Sequence, residues 1–562
     1  MDLFMTDVDA HLDKLSLDEL NTSHLTHPPV SKAAIRSHQG RFILSYVDKS
    51  ANCVCHVCPK FYLQIIINEH FPKGIMSDQT TPHTYKNERR SVPDQLAVLK
   101  HLSDTLGIPF KPKHKPPRNK DGSPGTAAPP TLAHPQALIK EHKEPKGHRL
   151  LACCNNYPLA PLGRHLSSIF ALFTPILEDV WYSTFVDLPS HERPIFPILT
   201  QSTSVVEMVK RLNQSIPKHL RNNRVHLEAR DVAKMYTNID LLGLNKALSS
   251  IIQEVFNHLS KNPKDPNNIL KFILVSPTKG ETKFTPDIPK TAGVKRNNTT
   301  GSLNDKSMFD FCLDETLIIK WTSLLINNIF ICIGTDFVLK QVIGLPMGIQ
   351  PAVFFANFYM FYYELAFARR LVAAKRFDII AHFRFTARFV DDIISLMNKL
   401  LDSYLYLHQR TGNIPGIYPD CIEITLEQVS YLILNYLDIT IYKHNGVWYT
   451  KIYDKRHHHP LNKIKHITYP HIESFISRSC KYNVVTAQLT RFFRICTFKA
   501  DFLRVSLDFL TILARKHYSI AFLRRYTHKF VRKHSYLYGT RSSTSLVVNL
   551  FRDLSKIVPS AH

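Results

Sequence analysis

At 562 residues, with 71 Lys and Arg against 46 Asp and Glu and a formal charge of +25, the chain is too long for one small module and basic enough to attract polyanions. Its 29 His add charge at mildly acidic pH, and the partner so implied is nucleic acid or an anionic membrane surface. Ten Cys at irregular positions exclude the disulfide framework of a small secreted domain and favour a reducing compartment.

Residues 1–40 read as an irregular or helical leader, acidic at Asp2, Asp7, Asp9, Asp13, Asp18 and Glu19. It lacks a basic stretch followed by an apolar one, so secretion is not expected. From Arg41 to Tyr62, alternation predicts strand in FILSYV and NCVCHVC, with the turn-like DKSAN between them. Lys111 to Lys146, dense in Pro, Lys and His, predicts a mobile basic linker or loop. Apolar periodicity resumes at HRLLACC and predicts a helix over Leu162 to Phe185. VHLEARDVAKMYTNI is strand-like, and a helix follows from about Leu241 to Leu259. Residues 260–306, rich in Lys, Pro, Asn and Thr, read as an inserted loop.

Helical pattern returns at Asp314 to Asn328 and again at Pro351 to Lys375. The apolar run from Pro351 to Phe367 carries Asn357 and Glu364 and is shorter than the ~20 residues of a bilayer span, so it reads as a buried helix. FRFTARFVDDIISLMN has two short apolar arms about a pair of Asp, the pattern of a hairpin. YLDITIYKHNGVWYTKIYDK is a second hairpin, because Asn445-Gly446 accepts the positive φ angles of a type I′ turn. After Lys455 the chain is mostly helical and basic, and no internal repeat is evident.

One set of residues carries a specific chemistry. Phosphodiester synthesis uses two divalent cations about 3.5–4 Å apart, and hard Mg²⁺ needs only two or three convergent carboxylates. Asp231 stands at the end of a predicted strand, and Asp391-Asp392 at a predicted hairpin tip between Phe389-Val390 and Ile393-Ile394. Consecutive strand residues face opposite ways, so an Asp-Asp step can serve one site only at a turn. Taken alone such a step is usually a solvated turn; the surrounding segments change that. Tyr236, five residues after Asp231, is placed to meet the sugar of an incoming nucleotide and exclude a 2′ hydroxyl, although an isolated Tyr is as often a core aromatic. In QVIGLPMGIQPAVFFANFYM, Gly344 and Gly348 bracket Leu-Pro-Met and Pro351 opens a helix. Gly348 would let backbone approach a base pair, unless this is an ordinary loop-to-helix entry.

The succession DVAKMYTNI, GLPMG then helix, FVDD and YLDITIY resembles the palm of reverse transcriptases, most of all the Penelope-like retroelement enzymes. The resemblance extends over most of residues 43–540, with VDKSANCVCHVCPKFY similar to the first fingers strand pair and YDKRHHHPLNKIKH to the segment after the palm. It implies an RNA-directed DNA polymerase that extends a DNA primer on an RNA template with dNTPs, using two Mg²⁺ ions for which Mn²⁺ could substitute. It further implies Asp231, Asp391, Asp392 and the carbonyl of Val232 as metal ligands. Tyr236, Met347 and Gly348 would contact the nucleotide, and Lys49 and Arg149 would grip its triphosphate. Departures are the Phe that opens FVDD in place of the usual Tyr, and Ile349-Gln350-Pro351-Ala352 where relatives carry small polar residues. Nothing after the thumb resembles the GIY-YIG endonuclease of many Penelope-like enzymes, so target cleavage by such a domain is not expected.

Between Gln488 and Arg541 the bases, among them Arg491, Arg494, Arg524 and Arg525, face only Asp501 and Asp508, with aromatics interleaved. Standing alone, such a run is a solvated basic face or a membrane-surface helix. After a polymerase palm it reads as a thumb whose cations follow a duplex backbone. Cys53, Cys55, His56 and Cys58 lack the spacing of a zinc finger and suit a buried strand, and His457-His458-His459, with His466 and His471, reads as a surface loop near nucleic acid.

The expectation is an α+β right-hand polymerase: leader 1–40, fingers 41–225 with the linker 111–146, palm 226–455 with the insertion 260–306, helical thumb 456–541 and tail 542–562. A domesticated or degenerate relative that binds nucleic acid without polymerising is the alternative, and Tyr236 disfavours an RNA-synthesising enzyme. No membrane partner is expected, the oligomeric state is open, and an intracellular, nuclear location follows from the resemblance.

Overall fold

A computed structural model describes residues 43–47, 50–62, 64, 85–88, 90–108, 129–140, 147–261, 272–276, 281–285, 301–302, 311–333, 337–411, 413–455, 469–474, 476–534 and 550–554. It is an α+β protein in which a small antiparallel sheet is backed by long helices, flanked by a β-rich N-terminal part and a helical C-terminal part, the parts labelled palm, fingers and thumb in the sequence-based expectation.

The N-terminal part contains β1 (Ile43–Val47), β2 (Ser50–Val57), β3 (Tyr85–Glu88), helix α1 (Val92–Thr105), β4 (His134–Lys140) and β5 (Gly147–Cys153). The expected hairpin forms between β1 and β2, and the sheet runs β2-β1-β4-β5, with β1 and β4 parallel. Ser91 starts α1, its Oγ accepting from the Asp94 N–H, and Pro93 lies in the first turn where its missing donor costs nothing. Strand β4 corrects the expected linker over 111–146. Ala137 and Ile139 bury on one face, and seven residues of β4 pair with β5, so a segment flanked by Pro-rich sequence still finds a ladder. Residues 111–128 and 141–146 lie outside the described set.

Next come α2 (Ala160–Thr184), α3 (Thr203–Ser215), β6 (Leu227–Ala233), the single turn α4 (Met235–Asn238) and α5 (Leu241–Lys261). The inserted loop expected over 260–306 is corrected in part. It holds β7 (Phe272–Ser276), β8 (Glu281–Thr285) and the short β9 (Gly301–Ser302), which join β10 (Phe311–Leu313) in the order β8-β7-β10-β9. Composition hid FILVS, whose Ile273 and Val275 are fully buried against the main core.

Helix α6 (Glu315–Asn327) opens on Asp314, which accepts from Leu317 N–H at 2.8 Å. Strand β11 (Phe330–Ile333) then pairs with β12 (Phe337–Gln341), which pairs with β3. Helix α7 (Ala352–Ala373) is buried as expected and packs against α2 and α5, its Phe355 and Phe358 meeting Phe170 of α2. After α8 (Phe377–Phe383) come β13 (Thr386–Phe389), β14 (Asp392–Leu396), the two-residue β15 and β16 (Arg410–Thr411 and Ile414–Pro415) and β17 (Glu423–Ser430). The palm sheet has the order β13-β14-β6-β17.

Strands β18 (Ile433–Tyr436), β19 (Ile439–His444) and β20 (Val447–Ile452) form a second small sheet on α3. Its hairpin turns at Asn445 and Gly446, with φ of 49° and 74°, as the type I′ expectation requires. The thumb consists of α9 (Arg478–Ile495), α10 (Lys499–Arg515) and α11 (Ile520–Lys533). Phe492, Phe502, Phe509 and Phe530 fill its core, while Arg494, Arg504, Arg515, Arg524 and Arg525 stay exposed. Among the described residues no helix is long and apolar enough to cross a membrane.

Candidate active site

The palm sheet brings the three Asp together. Asp392 and Asp231 are register partners on β14 and β6, and the Val232 N–H donates to the Asp391 carbonyl at 2.9 Å. On the other side of β6, Thr425 pairs with Asp231 and its Oγ1 donates to the Asp231 carbonyl at 3.2 Å. The β13–β14 turn is only Val390 and Asp391, closed by the pair Phe389–Asp392. Val390 has φ of 58°, a left-handed conformation rare for a β-branched residue and costing of order 1–3 kcal/mol.

A buried network holds this turn. Arg388, only 1% exposed, donates from Nε to Glu364 Oε1 at 2.6 Å and from Nη1 to Asn357 Oδ1 at 2.6 Å and the Val390 carbonyl at 3.2 Å. Nη2 donates to the Asn357 carbonyl at 2.6 Å and to Glu364 Oε2 at 3.4 Å. Tyr418 donates to Glu364 Oε1 at 2.8 Å. Tyr436 clamps the other side, its hydroxyl donating to the Asp392 carbonyl at 2.7 Å and accepting from the Phe389 N–H at 3.1 Å. The strained turn is therefore tied to α7 and to β18.

The electrostatics show how closely the carboxylates crowd. Burial, then Asp391, then Asp231 and Glu427 push the Asp392 carboxyl up to about 7, against the pull of Lys455. Tyr236 is pushed up to about 12 by burial and by Asp391, opposed by Arg149 and Arg388. Tyr236 thus lies in the fields of both Asp391 and Arg149.

The GLPMG segment docks beneath Tyr236. The Leu345 N–H donates to the Tyr236 carbonyl at 2.5 Å and the Gly344 N–H to Ile239 at 2.8 Å. Gly344 has φ of 82°, and a Cβ there would lie 2.5 Å from the Tyr236 carbonyl oxygen. Gly348 also makes a close approach within the protein. A Cβ on it would fall 1.7 Å from the Ala152 carbonyl oxygen, and the Ala152 N–H donates to Met347 at 3.0 Å, so the close approach is to β5. Met347 is half-buried and Gly348 exposed.

Of the basic candidates, Lys49 lies outside the described residues. Arg491 is bound to Asp438 on the β18–β19 turn, Nη2 to Oδ2 at 2.6 Å, so it joins thumb to palm and does not stand free for a phosphate. Arg524 lies 5.4 Å over the Phe551 ring; Arg494 and Arg525 are exposed. Arg388, Glu364, Asn357, Tyr436, Glu427 and Lys455 join the site without having been expected there from the sequence. For Arg388 a signal existed, a charge inside the apolar arm TARFV, where only a buried partner can hold it.

No family model matches the chain, and no curated protein is similar in sequence. Among solved structures, the chain is similar to a telomerase from Candida albicans in complex with a TWJ fragment of telomeric RNA. The identity is 9% and the TM-score 0.46, over 83% of this chain and 69% of that one. Apo telomerase from Candida tropicalis gives 10% identity and a TM-score of 0.39, over 95% of this chain and 68% of that one. A BmCPV RNA-dependent RNA polymerase at elongation state gives 10% and 0.30, over 65% of this chain and a quarter (25%) of that one.

Among the described residues no three His, Cys, Asp or Glu side chains converge tightly enough to clasp an ion by themselves. The donor set is all-oxygen and open. That suits Mg²⁺, which keeps several waters and completes its shell from substrate phosphates, better than a cation needing a closed protein cage.

Proposed function

We propose that the chain is a template-directed polymerase of the reverse-transcriptase type, adding deoxynucleotides to a primer 3′ end on an RNA template. The observation that carries the reading is the juxtaposition of Asp231 and Asp392 across two strands, with Asp391 on the intervening turn and Tyr236 in its field. Asp231, Asp391 and Asp392, with the Val232 carbonyl, would hold two Mg²⁺ ions, or Mn²⁺ in their place. Bound there, the ions would neutralise triphosphate charge and activate the 3′ hydroxyl. The chain's own part is positioning. The Arg388 network holds the carboxylates, Arg149 faces the nucleotide's charge, and Tyr236 stands where a 2′ hydroxyl would collide.

The Penelope-like motifs make a retroelement enzyme of that lineage the finer reading, with RNA template, DNA primer and dNTPs as partners, a nuclear location and no membrane. Primer extension on an RNA template tests the proposal, with dNTPs or rNTPs and Asp391→Ala/Asp392→Ala as control. Extension by wild type with dNTPs alone is expected. No extension with any divalent cation would leave a nucleic-acid-binding relative, and extension with rNTPs only would overturn the reverse-transcriptase assignment. Tyr236→Ala should raise ribonucleotide use about 10–100-fold, read as the ratio of kcat/KM values.

A further inference from the structure

We propose that the turn before β6 and the tip of the β19–β20 hairpin form a second nucleic-acid site, remote from the carboxylates, that takes a single strand. From Met208 to Leu227 the chain has no Asp or Glu, and it carries Lys218, His219, Arg221 and Arg224 around a surface turn. Lys218, His219 and Arg224 are exposed, Arg221 is half-buried, and none of them forms an ion pair with a carboxylate among the described residues. Their charge is therefore not spent inside the protein.

The turn is held in place. A Cβ on Gly446 would lie 3.3 Å from Arg221 Cβ, so the hairpin tip rests on it. Lys443 Nζ donates to the Asn223 carbonyl at 2.7 Å while lying 5.5 Å over the Trp448 ring. On the other face of the same hairpin runs a strip of rings. His444 is 5.9 Å from Phe498, Tyr449 is 5.3 Å from Phe498, and Tyr442 is 5.9 Å from Tyr449. Phe498 is 37% exposed, His444 is exposed, and Lys451 stands 4.8 Å over Tyr442. The one acid in the strip, Asp501, accepts from the Tyr442 hydroxyl and lies 3.5 Å from Arg504.

Unspent cations track a phosphate backbone, and half-exposed rings stack on unpaired bases, a combination suited to a single strand because a duplex hides its base faces. An acidic protein or an anionic membrane would use the cations but not the rings. The site is separate from catalysis, since seven residues of mostly extended chain, the last of them in β6, carry Arg224 to Asp231 over roughly 20 Å.

The test is fluorescence anisotropy of a labelled 20-nucleotide oligouridylate on the full chain, with the cleft saturated by a short unlabelled primer–template hybrid. Two variants are compared with wild type, Lys218→Gln/Arg221→Gln/Arg224→Gln and His444→Ala/Phe498→Ala. Each is expected to weaken oligouridylate binding about tenfold or more, and the triple variant should flatten the log K against log salt slope by about 2. Primer extension on the short hybrid should stay at the wild-type level. Repeating the binding on Asp391→Ala separates this proposal from the polymerase reading, because binding there should persist whether or not wild type extends a primer. Unchanged binding in both variants would overturn the proposal. So would an equal loss of extension, which would put these residues on the catalytic duplex path. Binding of polyglutamate or anionic vesicles that depends on the cations but not the rings would assign the surface to another partner and overturn it too.

Discussion

Arg388 has five N–H donors and all five are used inside the protein, one of them on the carbonyl of Val390. Lys cannot reproduce that fork. Arg388→Gln should cost about 3–5 kcal/mol of stability by stranding Glu364 in the core, and Arg388→Lys less, because its ammonium can still pair with Glu364 while leaving the other acceptors unmet. Both should lower kcat for primer extension by more than the folded fraction explains, because the Val390 turn loses its anchor. Thermal unfolding alongside kcat and the Mg²⁺ half-saturation separates the two effects; a kcat that follows the folded fraction alone would leave Arg388 purely structural. Asp392 gives a pH dependence. Its carboxyl is raised from the ordinary 3.8 to about 7, so between those values the folded protein keeps a proton that the unfolded chain has lost. Stability in EDTA therefore falls as pH rises through that window, and the penalty is complete above about 7. Asp392→Asn should gain thermal stability over wild type as pH goes from about 5 to about 8, and Mg²⁺ should narrow the gap. A difference flat in pH would contradict the crowding of these carboxylates.

At the scale of elements, the thumb separates two kinds of arginine. Arg525 is exposed, whereas Arg491 is engaged by Asp438. Arg525→Gln should reduce the salt slope of primer–template binding by about 0.9, as expected for one phosphate contact. Arg491→Gln should leave that slope unchanged and destabilise the thumb–palm junction by at most about 1 kcal/mol, since the pair is solvent-exposed. The sequence showed the strong periodicities well. The helices α2, α5, α6 and α7 and both hairpins lie where patterning and Asn445-Gly446 put them. Strands β4 and β7 were hidden because Pro, Lys and Asn around them dominate a composition window, while their own alternation of buried residues is only a few positions long. The three Asp were legible from local pattern, since a pair flanked by apolar arms must turn. Their supports were not, because Glu364 and Asn357 reach Arg388 from another helix and Tyr436 reaches Asp392 from another sheet. Such contacts leave no periodic trace.

Over the whole molecule, the chain carries a formal charge of +25, and among the described residues exposed cations lie on the helical C-terminal part and on the turn before β6, both beside the β19–β20 hairpin. Association with polyanions should therefore be fast and fall steeply with salt. The contact between Gly348 and Ala152 has a wider consequence. Strand β5 carries Arg149 three residues before Ala152, and Ala152 is joined backbone to backbone with Met347 and Gly348, whose loop supports Tyr236 from below. A closing movement of the fingers that drew Arg149 toward a nucleotide would drag this loop with it. If the chain works as proposed, grip on the phosphates, inspection of the base pair and rejection of the wrong sugar would share one lever, and its choice of base could not be relaxed without loosening its choice of sugar.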